Sequence, residues 1–532
     1  MTFRFLASAA VLALSAGTAL ADYKLHVLHI NDFHSRIEAI NKYDSTCTGK
    51  DVEENKCLGG SARLFTKINE LRDSLKAAGE NVIVLDSGDQ YQGSLFYTTY
   101  KGDAEIEMMN RIGFDLMAVG NHEFDDGNEG LAKLVNGVKF PVISGNLDLS
   151  RSALLKGKVG RTAVLEVGGQ KIGFVSALAT DTVETASPGP DVIFQDEIES
   201  LKAQVADLEG QGVNKILALT HVGYVKDQEI AASVAGVDAV IGGHSHTYLS
   251  ASDPKRQGAY PTWVEAGNSS VPVVTAYAYG KYLGHLVLTF GDDGALKFAE
   301  GDVMLLDASV TPNAEIEARV KELAGPIEAL KTKIVAEAKA DIDGGRDTCR
   351  QQECTMGNLV ADAMLDRVKD QGVTIAIQNG GGLRASIQAG QVSMGGVLAV
   401  LPFQNTLSTF QAKGSTILKA LENGVSQIED GAGRFAQVAG LKYTFDPAAP
   451  KGSRVSDVMV RKGDGWAPIE AETVYGVVTN NYVRQGGDGF RMFGSEGMNA
   501  YDYGPDLADV VAEYMAKTGP YTPALDGRIT RK

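Results

Sequence analysis

The chain has 532 residues, 44% of them hydrophobic and 22% charged, which excludes a disordered protein and predicts two or more domains. Its net charge of −17, from 50 basic against 67 acidic residues, argues against nucleic acid or anionic membrane surfaces as partners. A small anionic substrate stays compatible, because divalent metals and a few arginines can make one cleft positive inside an acidic protein.

In chain order, the first segment is "MTFRFLASAAVLALSAGTALA". One positive charge at Arg4, an apolar core from Leu6 to Leu14 and small residues at Ala19 and Ala21 predict a secretory signal, residues 1–21, cut before Asp22. The apolar part falls short of the roughly 20 residues that span a bilayer. The polar C-terminus "YTPALDGRITRK" argues against a lipid-anchor signal. The expectation is an exported, periplasmic chain without a membrane anchor.

From residue 24 to about 305, short apolar runs alternate with helix-like segments: "KLHVLHI", "NVIVLD", "DLMAVG", "FPVISG", "KIGFVSA", "KILALT" and "VDAVIGG". "GGSARLFTKINELRDSLKAAG" has its apolar positions at helical spacing between the first two runs. Such alternation predicts a layered α/β domain over residues 22–310. Residues 312 to 340 are rich in Ala, Glu, Lys and Leu, with Pro326 as the one breaker, so a helical linker is expected over 311–345. A second α/β region with its own glycine-rich turns follows over 346–532. The four cysteines fall as two close pairs, Cys47 with Cys57 and Cys349 with Cys354. Two local disulfides suit an exported protein, and neither pair has the two-residue gap of a zinc knuckle.

Chemistry gathers where the apolar runs end. Asp32 and His34 follow the first, Asp89 the second, Asn121 and His122 the third; His221 closes "KILALTH", and His244 and His246 follow "VIGG". In an α/β sheet the C-terminal strand ends share one edge, where such folds bind ligands. Five of the eight histidines lie in these turns, which chance accounts for poorly; His26, His29 and His285 read as ordinary hydrogen-bonded or surface side chains. Mixed imidazole and carboxylate ligands suit Zn, Mn, Fe or Co, and so many candidates exceed what one tetrahedral ion takes. Two ions roughly 3.5–4 Å apart, bridged by a carboxylate, fit the count and generate a hydroxide nucleophile at neutral pH. Glu123 and Asp126 read as solvated acids at a helix start.

The set "NDFHSR", "DSGDQYQGS", "GNHEFD", "THVG" and "GGHSHT" resembles the calcineurin-like metallophosphoesterases, and its order with the second region resembles secreted 5'-nucleotidases over about residues 24 to 528. The resemblance implies a four-layer α/β sandwich followed by a smaller α/β substrate-binding domain. It makes Asp32, His34 and His246 ligands of one divalent metal, Asn121, His221 and His244 ligands of the other, and Asp89 the bridge; zinc, manganese or cobalt is the implied cofactor. Some relatives have Asn or Gln where this chain has His246, which bears on metal preference. His122 becomes a catalytic group rather than a ligand. Asp125, three residues on, is placed to orient its ring and favour its cation.

In the second region the resemblance rests on "DTCRQQECTMGNLVADAM", "IQNGGGLRASI" and "NNYVRQGGDGF". It implies that Arg350 and Arg384, joined by Arg36, bind the substrate phosphate, each guanidinium offering a planar fork to its oxygens. It implies further that Asn379 and Asp488 contact the nucleoside and that Tyr482 stacks on the base. At the other face of the base, in "LPFQNTLSTF", the resemblance puts Leu407 where relatives have an aromatic, with Phe403 or Phe410 available to replace it. The implied reaction is hydrolysis of nucleoside 5'-monophosphates to nucleoside and phosphate by a metal-bridging hydroxide, in scavenging of extracellular nucleotides. The alternative is a hydrolase of the same family acting on UDP-sugars, NAD or 2',3'-cyclic nucleotides.

Overall fold

The computed structural model describes residues 22–532 except 43, 45, 46, 48, 268, 404, 464, 502 and 503, so the expected signal segment lies outside the described residues. Each of the seven apolar runs forms a strand. They build two six-stranded sheets. In the first, Tyr23–Ile30, Asn81–Asp86, Leu116–Ala118 and Val142–Ile143 run parallel, and Tyr282–Phe290 and Leu296–Leu305 add antiparallel strands at one side. In the second, Gln170–Leu178, Ile216–His221, Ala239–Ile241 and Ser269–Val274 are parallel, flanked by antiparallel Thr162–Val167 and Thr262–Ala266.

The sheets face each other across Leu25, Val27, Leu85, Phe174, Leu217 and Ile241, all buried. Alternate residues of the first sheet, Leu28, Ile30 and Val84, turn the other way and pack with Leu64 and Ile68 of the helix Ser61–Ala77. Helices cover the outer face of the second sheet in the same way, through Leu201, Val205 and Ile230. Two apolar faces on each sheet explain why the runs are nearly continuous rather than alternating. The result is four layers, with the parallel strands of both sheets ending at one edge.

The segment after this domain is a helix only in part. Helix Ala314–Ala324, capped by the Asn313 side chain, passes through a short 3-10 turn at Gly325–Ile327 into helix Glu328–Thr332. The expected helical linker through residue 345 stops there: Ile334–Ala338 is a strand paired antiparallel with Gly390–Ser393. The β-branched pair Ile334 and Val335 and a partner strand outweigh the helix-forming composition of the stretch.

Beyond it lie a five-stranded sheet, in the order Ala436–Ala439, Val373–Asn379, Val474–Asn480, Leu407–Lys413, Met498–Tyr501, and a four-stranded sheet ending on Ile529–Arg531. The helices Thr355–Val368 and Leu507–Thr518 cover one face of the larger sheet. Cys47 is bonded to Cys57 and Cys349 to Cys354. Such bonds suit an extracytoplasmic protein, and among the described residues no helix is long and apolar enough to cross a membrane.

Candidate active site

The shared strand edge gathers every histidine and carboxylate singled out there. His246 Nε2 lies 3.1 Å from Asp32 Oδ1 and 3.0 Å from His34 Nε2. His221 Nε2 lies 3.1 Å from Asp89 Oδ2, whose distance to His34 Nε2 is 3.7 Å. Asn121 Oδ1 is 2.8 Å from His244 Nδ1. Asp32, His34, Asp89, His244 and His246 all have positive φ, between 50° and 74°, a concentration of unfavourable backbone that belongs to functional turns.

These residues fit metal ions. His34 and His221 donate from Nδ1 to backbone carbonyls, of Gln92 at 3.2 Å and Ser87 at 2.6 Å, so in each neutral imidazole Nε2 is the nitrogen with a lone pair to offer a cation. Asp32 Oδ1 and His221 Nε2 are buried without a hydrogen-bond partner. Orphaned acceptors converging with two imidazole nitrogens are costly unless a cation lies among them. Asp32, His34 and His246 form one such group, and Asp89, His221 and His244 another.

His122 stands beside this cluster with another partner. Its Nδ1 is 2.7 Å from Asp125 Oδ2, and its backbone N–H donates to Asp89 Oδ1 at 2.8 Å. Burial opposes the imidazolium, but the charges of Asp125 and Asp89 outweigh it and raise the His122 pKa above the usual histidine value.

The expectation for Glu123 is overturned. It is 0% exposed. Its Oε2 accepts the N–H groups of Gly120 at 2.7 Å and Asp89 at 3.0 Å, and its Oε1 those of Gln90 at 2.8 Å and Tyr91 at 3.2 Å. It staples the Asp89 and Asn121 turns together. Burial and the nearby Asp89 charge push its pKa up to about 7. Asp126 does lie at a helix start with an exposed side chain, where it accepts a hydrogen bond from Tyr97.

The second domain closes over this edge, leaving a cleft of about 770 Å³. Arg384 Nη2 is 3.2 Å from His34 Nε2, and Arg350 donates to Gly431 O at 3.4 Å. The Nε atoms of Arg36, Arg350 and Arg384 and Nη2 of Arg36 are buried without partners. Burial and the cations of Arg346 and Arg384 hold the Arg350 pKa well below its ordinary value. An anion among these guanidiniums would relieve both costs. The Cys349–Cys354 bond closes the loop that carries Arg350.

Arg346 escaped the sequence reading. Its Nη2 donates to His244 O at 3.4 Å, and it lines the cleft four residues before Arg350. That helical spacing in "RDTCR" was the available signal.

Asn379 Nδ2 donates to Asp488 Oδ2 at 2.6 Å, and Tyr482 OH lies 3.2 Å from Asp488 Oδ1, so the expected nucleoside contacts form one network. Leu407 does not face them. It is 1% exposed and paired with Asn480 inside the sheet, while Phe410 packs on Phe493 in the core. Of the three candidates in that segment, Phe403 lines the cleft, as Tyr482 does, its ring 6.0 Å from that of His122. The three remaining histidines are structural: His26 pairs with His285 at 2.9 Å, and His29 with Tyr260 OH at 2.8 Å.

Comparison with known proteins agrees with this construction. Residues 25–248 match the calcineurin-like phosphoesterase family and residues 334–495 the 5'-nucleotidase C-terminal domain. The chain is 38% identical to mouse 5'-nucleotidase over 546 aligned positions, covering 98% of this chain and 93% of that protein, and 37% identical to the human one. A 5'-nucleotidase precursor from Thermus thermophilus superimposes with a TM-score of 0.90 at 39% identity, over 96% of this chain and 99% of that one. With both domains matched and this identity sustained along almost the whole chain, the protein belongs to the 5'-nucleotidase family of two-domain, calcineurin-like metallophosphoesterases.

Proposed function

We propose that the protein hydrolyses nucleoside 5'-monophosphates to nucleoside and phosphate with two divalent ions, zinc, manganese or cobalt. The observation that carries this reading is the meeting, in one cleft, of the histidine and carboxylate cluster with unpartnered arginines and an aromatic-lined polar pocket. Asp32, His34 and His246 would hold one ion, Asn121, His221 and His244 the other, and Asp89 both. When bound, such ions supply Lewis-acid charge and a water of lowered pKa.

The chain's own groups do the rest. Arg36, Arg350 and Arg384 take the phosphoryl oxygens on planar forks, which favours a terminal phosphate over an internal one. His122, oriented by Asp125, presents its Nε2 proton to a phosphoryl oxygen or to the departing 5'-oxygen. Phe403 and Tyr482 bracket the base, and Asn379 and Asp488 hydrogen-bond the nucleoside. A periplasmic location, following export, makes scavenging of extracellular nucleotides the role.

The test is phosphate release from AMP by the manganese-, cobalt- or zinc-loaded protein, beside UDP-glucose, NAD and cyclic AMP, with His122→Ala as control. Release from AMP that falls by orders of magnitude in a variant retaining its metal supports the reading. No release from AMP with both ions verified overturns it.

A further inference from the structure

The turn "AYAYGKY", residues 276 to 282, follows the strand Ser269–Val274 and takes no part in the reading above. It is held in an unfavourable shape: Tyr277 has φ 64° and Tyr279 φ 62°. Aromatic residues rarely adopt the left-handed region, so something outside the turn imposes it. Part of the answer is a backbone tie, since Tyr279 N–H donates to Asp32 O at 2.7 Å. The rest is where the ring goes.

The Tyr279 ring, in a residue 6% exposed, lies under the Arg36 guanidinium, whose Cζ is 4.9 Å from the ring centroid. Its other neighbours are His246, edge-on at 90° and 5.2 Å, and His34 at 5.8 Å. Arg36 is itself 5% exposed, and its Nη1 donates to the carbonyls of Gly93 and His34. A Cβ at Gly93 would lie 3.1 Å from Nη1, so the glycine is what lets the carbonyl approach. Nε and Nη2 have no partner. A ring face attracts a cation without occupying an N–H group, whereas a carboxylate in its place would neutralise the arginine and occupy its donors.

We propose that Tyr279 is a positioning residue for the substrate phosphate: its ring is the platform that fixes the Arg36 guanidinium with the N–H groups of Nε and Nη2 left unpaired. The proposal rests on the reading that Arg36 meets phosphate. It extends the phosphate site to a residue that touches neither substrate nor metal.

Tyr279→Asn is the decisive variant, because asparagine tolerates positive φ and removes the ring without adding backbone strain. Tyr279→Phe keeps the ring. Both are compared with Arg36→Ala and the Arg36→Ala/Tyr279→Asn double variant, after thermal melting shows them folded and metal analysis shows manganese content. Titration calorimetry with inorganic phosphate and the KM for AMP are the readouts. Tyr279→Asn is expected to bind phosphate about tenfold more weakly, as the loss of a desolvated cation–π contact allows, with KM raised to match. Tyr279→Phe is expected to match the parent, and the double variant to bind no more weakly than Arg36→Ala. Parental phosphate binding by Tyr279→Asn overturns the proposal. So does an equal further loss in the Arg36→Ala background, which would put the action of the ring on His246 and its metal. An Arg36→Ala protein that binds phosphate like the parent overturns the Arg36 reading itself, whatever Tyr279 does.

Discussion

The Glu123 carboxylate holds the backbone of Asp89, taking its N–H on Oε2 at 3.0 Å while the same oxygen takes that of Gly120 at 2.7 Å. Asp89 follows one strand and Asn121 the next, so a single buried acid sets the spacing of two turns that carry candidate metal ligands. Glu123→Ala leaves four buried N–H groups without acceptors, and each such loss costs about 1–3 kcal/mol before relaxation. Chemical denaturation is expected to show a loss of about 4 kcal/mol. Glu123→Gln keeps one acceptor oxygen and should lose less stability, yet bind metal more weakly; parental metal affinity in both variants would refute the stapling role.

Asp125 sets the protonation of His122. With its pKa raised by Asp125 and Asp89, His122 carries its proton below that pKa and loses it as pH rises through it. Activity that needs the imidazolium therefore falls on the alkaline side. Asp125→Asn removes part of the raising charge, so the alkaline limb of kcat is expected to move to lower pH. Lost ring orientation lowers the maximum roughly 10- to 100-fold, the usual range for groups that orient a site histidine. An alkaline limb that stays in place would take His122 out of the profile.

The strand edge and its candidate ligands were legible because they obey a local rule: an apolar run, then Asp, Asn or His at or just past its end. Asp32, His34, Asp89, Asn121, His244 and His246 follow their strands, and His221 closes the strand Ile216–His221. What was not legible depends on contacts distant in sequence. Glu123 reads as one of several acids near a helix start, and only the fold shows that the Asp89 to Tyr91 backbone arrives beside it. The strand Ile334–Ala338 ends a stretch of helix-forming composition and becomes a strand through its β-branched start and its partner Gly390–Ser393. Phe403 and Leu407 stand four residues apart in one segment, and the resemblance that put Leu407 at the base does not say which residue is the last to face the cleft before the strand Leu407–Lys413 begins.

That last distinction gives a paired prediction. Phe403 lines the cleft with Tyr482, whereas Leu407 is buried in the sheet. Phe403→Leu is expected to raise the KM for AMP about tenfold, near the upper range for one aromatic stacking contact, with stability little changed. Leu407→Ala should cost about 3 kcal/mol of stability through its cavity and leave KM near the parent value. A reversal of the two phenotypes would restore Leu407 as the base contact.

The cleft closes between domains joined by a jointed helix, and the joint predicts motion. Helix Ala314–Ala324 belongs to the first domain, because Arg319 grips Glu107 with Nε and Nη2, each at 2.9 Å, and Leu323 O accepts from Tyr100 OH at 2.7 Å. Helix Glu328–Thr332 packs instead on helix Met394–Val400 of the second domain, with Gly325–Ile327 between the two. Substrate entering a cleft roofed by Arg384 needs these domains to part. Gln388 Nε2 lies 3.4 Å from Asp51 Oδ2 across the closed interface. The native cysteines are all disulfide-bonded, so a short bismaleimide added to an Asp51→Cys/Gln388→Cys protein joins only those two positions. The crosslinked protein is expected to lose at least about 90% of its AMP turnover, while either single variant treated alike retains it. Full turnover in the crosslinked protein would show that nucleotide enters and leaves without domain separation.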